Sequence, residues 1–90
     1  KEQRKDAIKL YESLNLAQNL INQGEYDVNL IKEKMKSHLL ESEYAKIDYI
    51  EIVDSFTLES IKNTIEKKPV LIALAVYMGQ PRLIDNRVVE

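Results

Sequence analysis

The chain has 90 residues, of which 31% are charged and 44% hydrophobic, with a formal net charge of −2. A chain this short buries only roughly 60–65% of its unfolded surface, so one domain of two layers around a single core is the limit. The mild acidity leaves no basic footprint for nucleic acid, no run reaches the ~20 apolar residues of a membrane span, and the lack of cysteine removes disulfides, thiolate nucleophiles and most zinc sites.

A cysteine-free chain fits a reducing compartment, and a cytoplasmic location is expected. The first residue is Lys1 rather than methionine, which fits an excised piece of a longer protein. Lys1 to Asn22 reads as an amphipathic helix, because Ala7, Leu10, Tyr11, Leu14, Ala17 and Ile21 recur at spacings of three and four. Lys5, Lys9, Glu12 and Asn19 fall on its opposite side. Gly24 stands where a left-handed C-cap is expected, and Asp27 is a good N-cap for a second helix carrying Val28, Ile31, Met35 and Leu39 on one face. The short Gln-Gly-Glu-Tyr link predicts a helical hairpin.

Glu41 to Ala45 breaks the helical period, and Lys46 to Asp54 alternates with a period of two. Ile47, Tyr49, Glu51 and Val53 share one face of that strand, and Asp48, Ile50, Ile52 and Asp54 the other. Both sets are mixed, as expected of an edge strand. Ser55 to Lys68 is a long connection in which Thr57-Leu58-Glu59 suggests one helical turn, and Pro69 closes it where a lost donor matters little.

Val70 to Met78 is uncharged and rich in β-branched residues; Gly79-Gln80-Pro81 reverses the chain, and Arg82 to Val89 returns as a partner strand. A three-residue loop would set Met78 opposite Arg82, Val76 opposite Ile84, Leu74 opposite Asn86 and Ile72 opposite Val88. That register gathers Ile72, Leu74, Val76, Ile84 and Val88 on a core face, leaving Ala73, Ala75, Tyr77, Leu83, Asp85 and Arg87 on the other. A two-residue loop would oppose Asp85 to Leu74, a poorer match of side chains. The expected fold is an α+β two-layer sandwich: two antiparallel helices packed on a three-stranded antiparallel sheet, in the order α-α-β-β-β.

Candidate chemistry is sparse. His38 is the lone histidine, without a ligand partner one helical turn away, and reads as a helix-end histidine facing the C-terminal dipole. Asp48, Glu51 and Asp54 suggest a carboxylate cluster, but strand alternation separates Glu51 from the other two, whereas acid–base chemistry needs groups converging on one pocket. Arg82 and Arg87 have the chemistry to hold phosphate, yet neither a glycine-rich loop nor a further donor accompanies them. An Asp85–Arg87 pair along the strand, or a contact between domains, fits them better. The five tyrosines are too scattered to form a stacking platform. No catalytic set is complete, and neither a metal site nor a cofactor site is expected in these residues.

Ile47 to Asp54 (IDYIEIVD) followed by Ala73 to Asn86 (ALAVYMGQPRLIDN) resembles the C-terminal domain of the pantoate–β-alanine ligase (pantothenate synthetase) family. The opening EQRKDAIKLYESLNLA and the QGEYD link are similar to that domain's first helix and helix–helix connection. The resemblance covers essentially the whole chain, and its strand and hairpin segments are the specific part. It implies a reaction in which ATP and pantoate give pantoyl adenylate and pyrophosphate, and β-alanine then gives pantothenate and AMP. It also implies ATP and Mg2+ in the whole enzyme, a larger N-terminal nucleotidyltransferase-like domain as the partner, and a homodimer. The family's histidine-rich ATP motif and its Ser-Ser-Arg-Asn loop have no counterpart in these residues, so no catalytic or ATP-binding residue is carried over. The domain's implied role is a lid over the nucleotide, inert by itself, with the face of Ala73, Ala75, Tyr77, Asp85 and Arg87 as a candidate inter-domain surface, of which Tyr77, Asp85 and Arg87 are the candidate contact residues. The competing expectation is a free-standing α+β module that takes a protein partner by strand addition.

Overall fold

The computed structural model describes residues 2–90. It has two helices, α1 (Glu2–Asn22) and α2 (Val28–Leu39), followed by three strands, β1 (Ala45–Asp54), β2 (Val70–Met78) and β3 (Arg82–Val89). The strands form one antiparallel sheet in the order β1-β2-β3, which places the most apolar strand at the centre. Both helices lie on one side of it. The α+β sandwich in the order α-α-β-β-β is as expected.

Local chemistry explains the helical hairpin. Gly24, with φ +97°, ends α1 in a left-handed turn. There the Glu25 N–H donates to Leu20 O at 2.8 Å and the Gly24 N–H to Ile21 O at 3.0 Å, which satisfies two carbonyls that the helix end leaves open. Asp27 caps α2 by accepting from the Leu30 N–H at 3.2 Å. Leu10, Leu14, Ala17 and Ile21 of α1 and Val28, Ile31, Met35 and Leu39 of α2 are buried against the sheet. Ala7 and Tyr11 are not part of this stripe. Both stay exposed, while Asp6 and Ser13 take the buried positions between the apolar residues. The Ser13 hydroxyl is buried with no hydrogen-bond partner among the described residues.

Two departures from simple alternation decide which side chains reach the core. In β1 the pairing shifts between Ile47 and Tyr49, so Asp48 is the extra residue of a β-bulge. The bulge resets the period, and Ile47 therefore joins Ile50 and Ile52 on the helix side instead of sharing a face with Tyr49. In the hairpin the loop has two residues, not three. The Met78 N–H donates to Pro81 O at 2.9 Å, Gly79 has φ +70°, and the pairs are Tyr77↔Arg82, Val76↔Leu83, Leu74↔Asp85 and Ile72↔Arg87. The twist of a two-residue turn with positive φ at its first position matches the twist of paired strands, and this outweighs the matching of side chains. Every residue of β3 is thereby turned over. Leu83, Asp85, Arg87 and Val89 face the helices, while Ile84 and Val88 face away.

The connection from β1 to β2 contains no helical turn at Thr57-Leu58-Glu59. The Asp54 carboxylate instead accepts the N–H groups of Phe56 at 2.8 Å and Thr57 at 3.0 Å, and Leu58 takes a φ of +64° that brings the chain back on itself. The Asp54 N–H then donates to Glu59 O and the Ile61 N–H to Ile52 O, both at 2.9 Å, so the return segment covers part of the outer edge of β1. Further on, the Val28 N–H donates to Asn63 O and the Ile65 N–H to Tyr26 O, and Ile65 is buried. One polar segment thus holds sheet and helices together.

The register has a direct consequence for stability. Val89 is buried and Ile84 is 56% exposed. Val89→Ala should lower the unfolding free energy by about 1–3 kcal/mol and Ile84→Ala by under about 0.5 kcal/mol in urea titrations. The reverse order would contradict the register.

Candidate functional site

The side chains singled out in the sequence occupy three separate places. Asp48, Glu51 and Asp54 do not converge. Asp48 lies on the bulge and accepts from Arg82 Nε at 3.0 Å and Nη2 at 2.8 Å. Glu51 faces the opposite side of the sheet from the helices and takes a long 3.4 Å bond from the Ser60 hydroxyl. Asp54 is fully used in its own loop, and the backbone N–H groups of Thr57 and then Phe56 hold its carboxyl below the ordinary carboxylate value.

His38 is in the last turn of α2, as expected, but it is not alone there. Its Nε2 donates to Glu12 Oε1 at 2.9 Å, its Nδ1 lies 3.8 Å from Glu41 Oε1, and Lys9 Nζ sits 2.8 Å from that same oxygen. The hydrogen bond and charge of Lys9 hold Glu41 below its ordinary value. A sequence signal for this cluster existed. Glu12 and His38, like Lys9 and Glu41, are equally distant along the chain from Glu25 in the hairpin link, which is how antiparallel helices bring residues together. These ties join α1 to α2 and to the segment just after it. The carboxylates are exposed and Lys9 and His38 only part-buried, so each tie contributes little by itself.

Tyr77, Asp85 and Arg87, expected to share one face, do not. The two-residue turn leaves Tyr77 on the open side of the sheet and sends Asp85 and Arg87 under α1. Arg87 Nη1 donates to the side-chain carbonyls of Asn15 and Gln18, the latter at 3.0 Å, and the guanidinium carbon lies 5.1 Å from the centre of the Tyr11 ring. Asp85 makes no ion pair with Arg87 among the described residues; its carboxylate accepts the N–H of the neighbouring Asn86 at 2.8 Å. Arg82 is the charged residue at the hairpin end of the open face. It is 6.0 Å from the ring centres of both Tyr49 and Tyr77, and its hydrogen bond to Asp48 raises its pKa above the ordinary value.

The side of the sheet with Ala73, Ala75 and Tyr77 is open, as expected; what sequence reasoning missed is that Ile84 and Val88, not Asp85 and Arg87, join it from β3. It carries Leu71, Ala73, Ala75 and Tyr77 from β2 and Ile84 and Val88 from β3. Ile84 is 56% exposed, Val88 47% and Tyr77 38%. A second apolar feature is the tip of the β1–β2 connection, where Phe56 is 81% exposed. Among the described residues, no group of three histidine or acidic side chains could hold a metal ion. The surface crevices mix lysines with carboxylates; one, for instance, brings Lys5 and Lys9 together with Asp6, Glu12 and Glu41. Such linings do not fit a triphosphate or its magnesium ion, and no chemical step is assigned to these residues. What the arrangement offers is shape and a surface.

Residues 1–88 match the protein-family model described as pantoate-beta-alanine ligase. The chain belongs to that family. It is 53% identical over 89 residues to the pantothenate synthetase of Caldicellulosiruptor bescii, covering 99% of this chain and 31% of that protein. To the pantothenate synthetase of Thermotoga neapolitana it is 48% identical over 87 residues, covering 97% of this chain and 30% of that one. A crystal structure of pantothenate synthetase from Thermus thermophilus superposes with a TM-score of 0.80 at 27% identity, over 96% of this chain and 30% of that chain. This member of the ligase family therefore spans under a third of the length of the relatives it matches.

Two outcomes follow from the site geometry. Arg87→Ala should cost about 1–3 kcal/mol in chemical denaturation, because the carbonyls of Asn15 and Gln18 lose a charged donor at the join between the layers. A value near zero would mean that Arg87 does not clamp β3 to α1. The second concerns pH. Because folding lowers the Asp54 pKa, its stabilisation of the loop is fully present above the ordinary carboxylate value and is lost as pH falls through the lowered folded value. Amide exchange at Phe56 and Thr57, corrected for its intrinsic pH dependence, should accelerate across that acidic window. In Asp54→Asn that acceleration should disappear; its persistence would assign the effect to another group.

Proposed function

We infer that these residues form the C-terminal lid domain of a pantoate–β-alanine ligase. The observation that carries this is the family match over residues 1–88, on a chain equal to 31% of a relative's length whose side chains gather into no catalytic set. In the proposed reaction, a carboxylate oxygen of pantoate attacks the α-phosphorus of ATP and pyrophosphate leaves. The amine of β-alanine then attacks the acyl carbon of pantoyl adenylate, AMP leaves, and the new amide loses a proton. The mixed anhydride is sensitive to water, and a cover over it protects the intermediate.

The larger N-terminal domain is proposed to bind ATP with Mg2+ and to make the homodimer, in the cytoplasm, while the present residues supply the cover. Their build suits such a task. The helix hairpin is capped at both ends of its link, β3 is clamped to α1 through Arg87, and the β1–β2 connection is bonded to both layers. A cover of this kind needs internal stiffness more than reactive groups.

The test is a graft. In the Caldicellulosiruptor bescii enzyme, the matching third is replaced by residues 1–89 of this chain. Formation of pantothenate from ATP, pantoate and β-alanine should stay within about tenfold of that enzyme, whereas the 90-residue chain alone should give none. A folded graft without turnover, or turnover by the chain alone, would reject the lid assignment.

A further inference from the structure

The register of β3 runs against the usual division of side chains in a sheet with one covered face. Its two charged residues beyond the turn, Asp85 and Arg87, point towards the helices, and its β-branched Ile84 and Val88 point into the open. Antiparallel sheets with one wet face normally do the opposite. Arg87 is accommodated on the helix side only because Asn15, Gln18 and the Tyr11 ring receive it.

The central strand supports the same side with Leu71, Ala73, Ala75 and Tyr77. The two alanines keep the middle of the face low, and Ala75 is fully buried there. The charged residues of the face lie on the outer strands, Lys46 and Glu51 on β1 and Arg82 at the turn end of β3, and Arg82 is already neutralised by Asp48. Glu51 and Asn86 flank Ala73 from the two outer strands, so the exposed apolar residues form two neighbouring patches, Tyr77 with Ile84 and Leu71 with Val88, divided by one polar row. Apolar patches interrupted by polar groups are the usual form of a surface that another protein surface covers.

The rest of the parent chain is the occupant at hand, since these residues amount to only 31% of a close relative. We propose that the open sheet face, whose exposed apolar residues are Tyr77, Ile84 and Val88, is the surface against which the larger portion of the ligase packs. This rests on the lid assignment above. It places Tyr77 in the inter-domain contact and takes Asp85 and Arg87 out of it. The opposing surface must offer apolar contacts to Ile84 and Val88 and polar partners to Glu51 and Asn86, which lie between them on either side of Ala73.

The chain contains no cysteine, so single cysteines report cleanly on cover. Val88→Cys and Ile84→Cys are made separately, with Asn19→Cys on the exposed side of α1 as the control. Maleimide labelling of each site is followed by mass spectrometry in the 90-residue chain and in the graft. The rates at 84 and 88 should fall at least about tenfold in the graft and stay unchanged at 19.

Equal rates at 84 and 88 in both proteins, or protection at 19 alone, would overturn the assignment of the face. Labelling in the isolated chain that slows as its concentration rises would give the face to a second copy, and would likewise overturn it. The lid assignment fails separately: a folded graft protected at 84 and 88 but without turnover keeps the face and rejects the lid. A graft with turnover and unprotected cysteines does the reverse.

Discussion

The turn at Gly79–Gln80 determines which half of β3 meets the helices, because side chains on a strand alternate strictly and a loop longer by one residue would invert all of them. A left-handed residue is needed at the first turn position if two residues are to join strands of natural twist, and Gly79 supplies it without strain. Pro81 closes the loop with its carbonyl and has no N–H to leave unpaired. From this one backbone choice follow the clamp of Arg87 on α1, the burial of Val89 and the exposure of Ile84 and Val88.

The same logic of phase acts on β1. A strict alternation would have placed Ile47 with Tyr49, away from the core. The bulge at Asp48 admits one additional residue and thereby lets Ile47, Ile50 and Ile52 all face the helices. It also turns the Asp48 carboxylate to where Arg82 can reach it with two nitrogens. A local irregularity thus improves the core and anchors the turn end of the sheet together.

Much of the architecture was legible in the residues. Gly24 and Asp27 act through local chemistry that needs no knowledge of the rest of the fold, and the apolar spacing of both helices and the run Val70–Met78 determined element type and order. The hairpin register was not legible from face matching, because the criterion assumed that apolar residues of β3 would face the helices, and Asn15, Gln18 and Tyr11 remove the penalty for doing otherwise. The grouping of Tyr77, Asp85 and Arg87 fell with it. The bulge left no mark in composition. The cluster of His38 with Glu12 and Glu41 spans two helices and the segment after them, and it was legible only through the equal spacing of its members about the hairpin link at Glu25.

The polar segment from Ser55 to Pro69 has a mechanical meaning for the molecule. It is bonded to β1 through Glu59 and Ile61, to the link between the helices through Asn63 and Ile65, and to itself where the Ser55 N–H meets Pro69 O. A strap tied to both layers prevents shear between them. Any swinging of these residues as a unit must then leave the two layers together rather than slide one over the other.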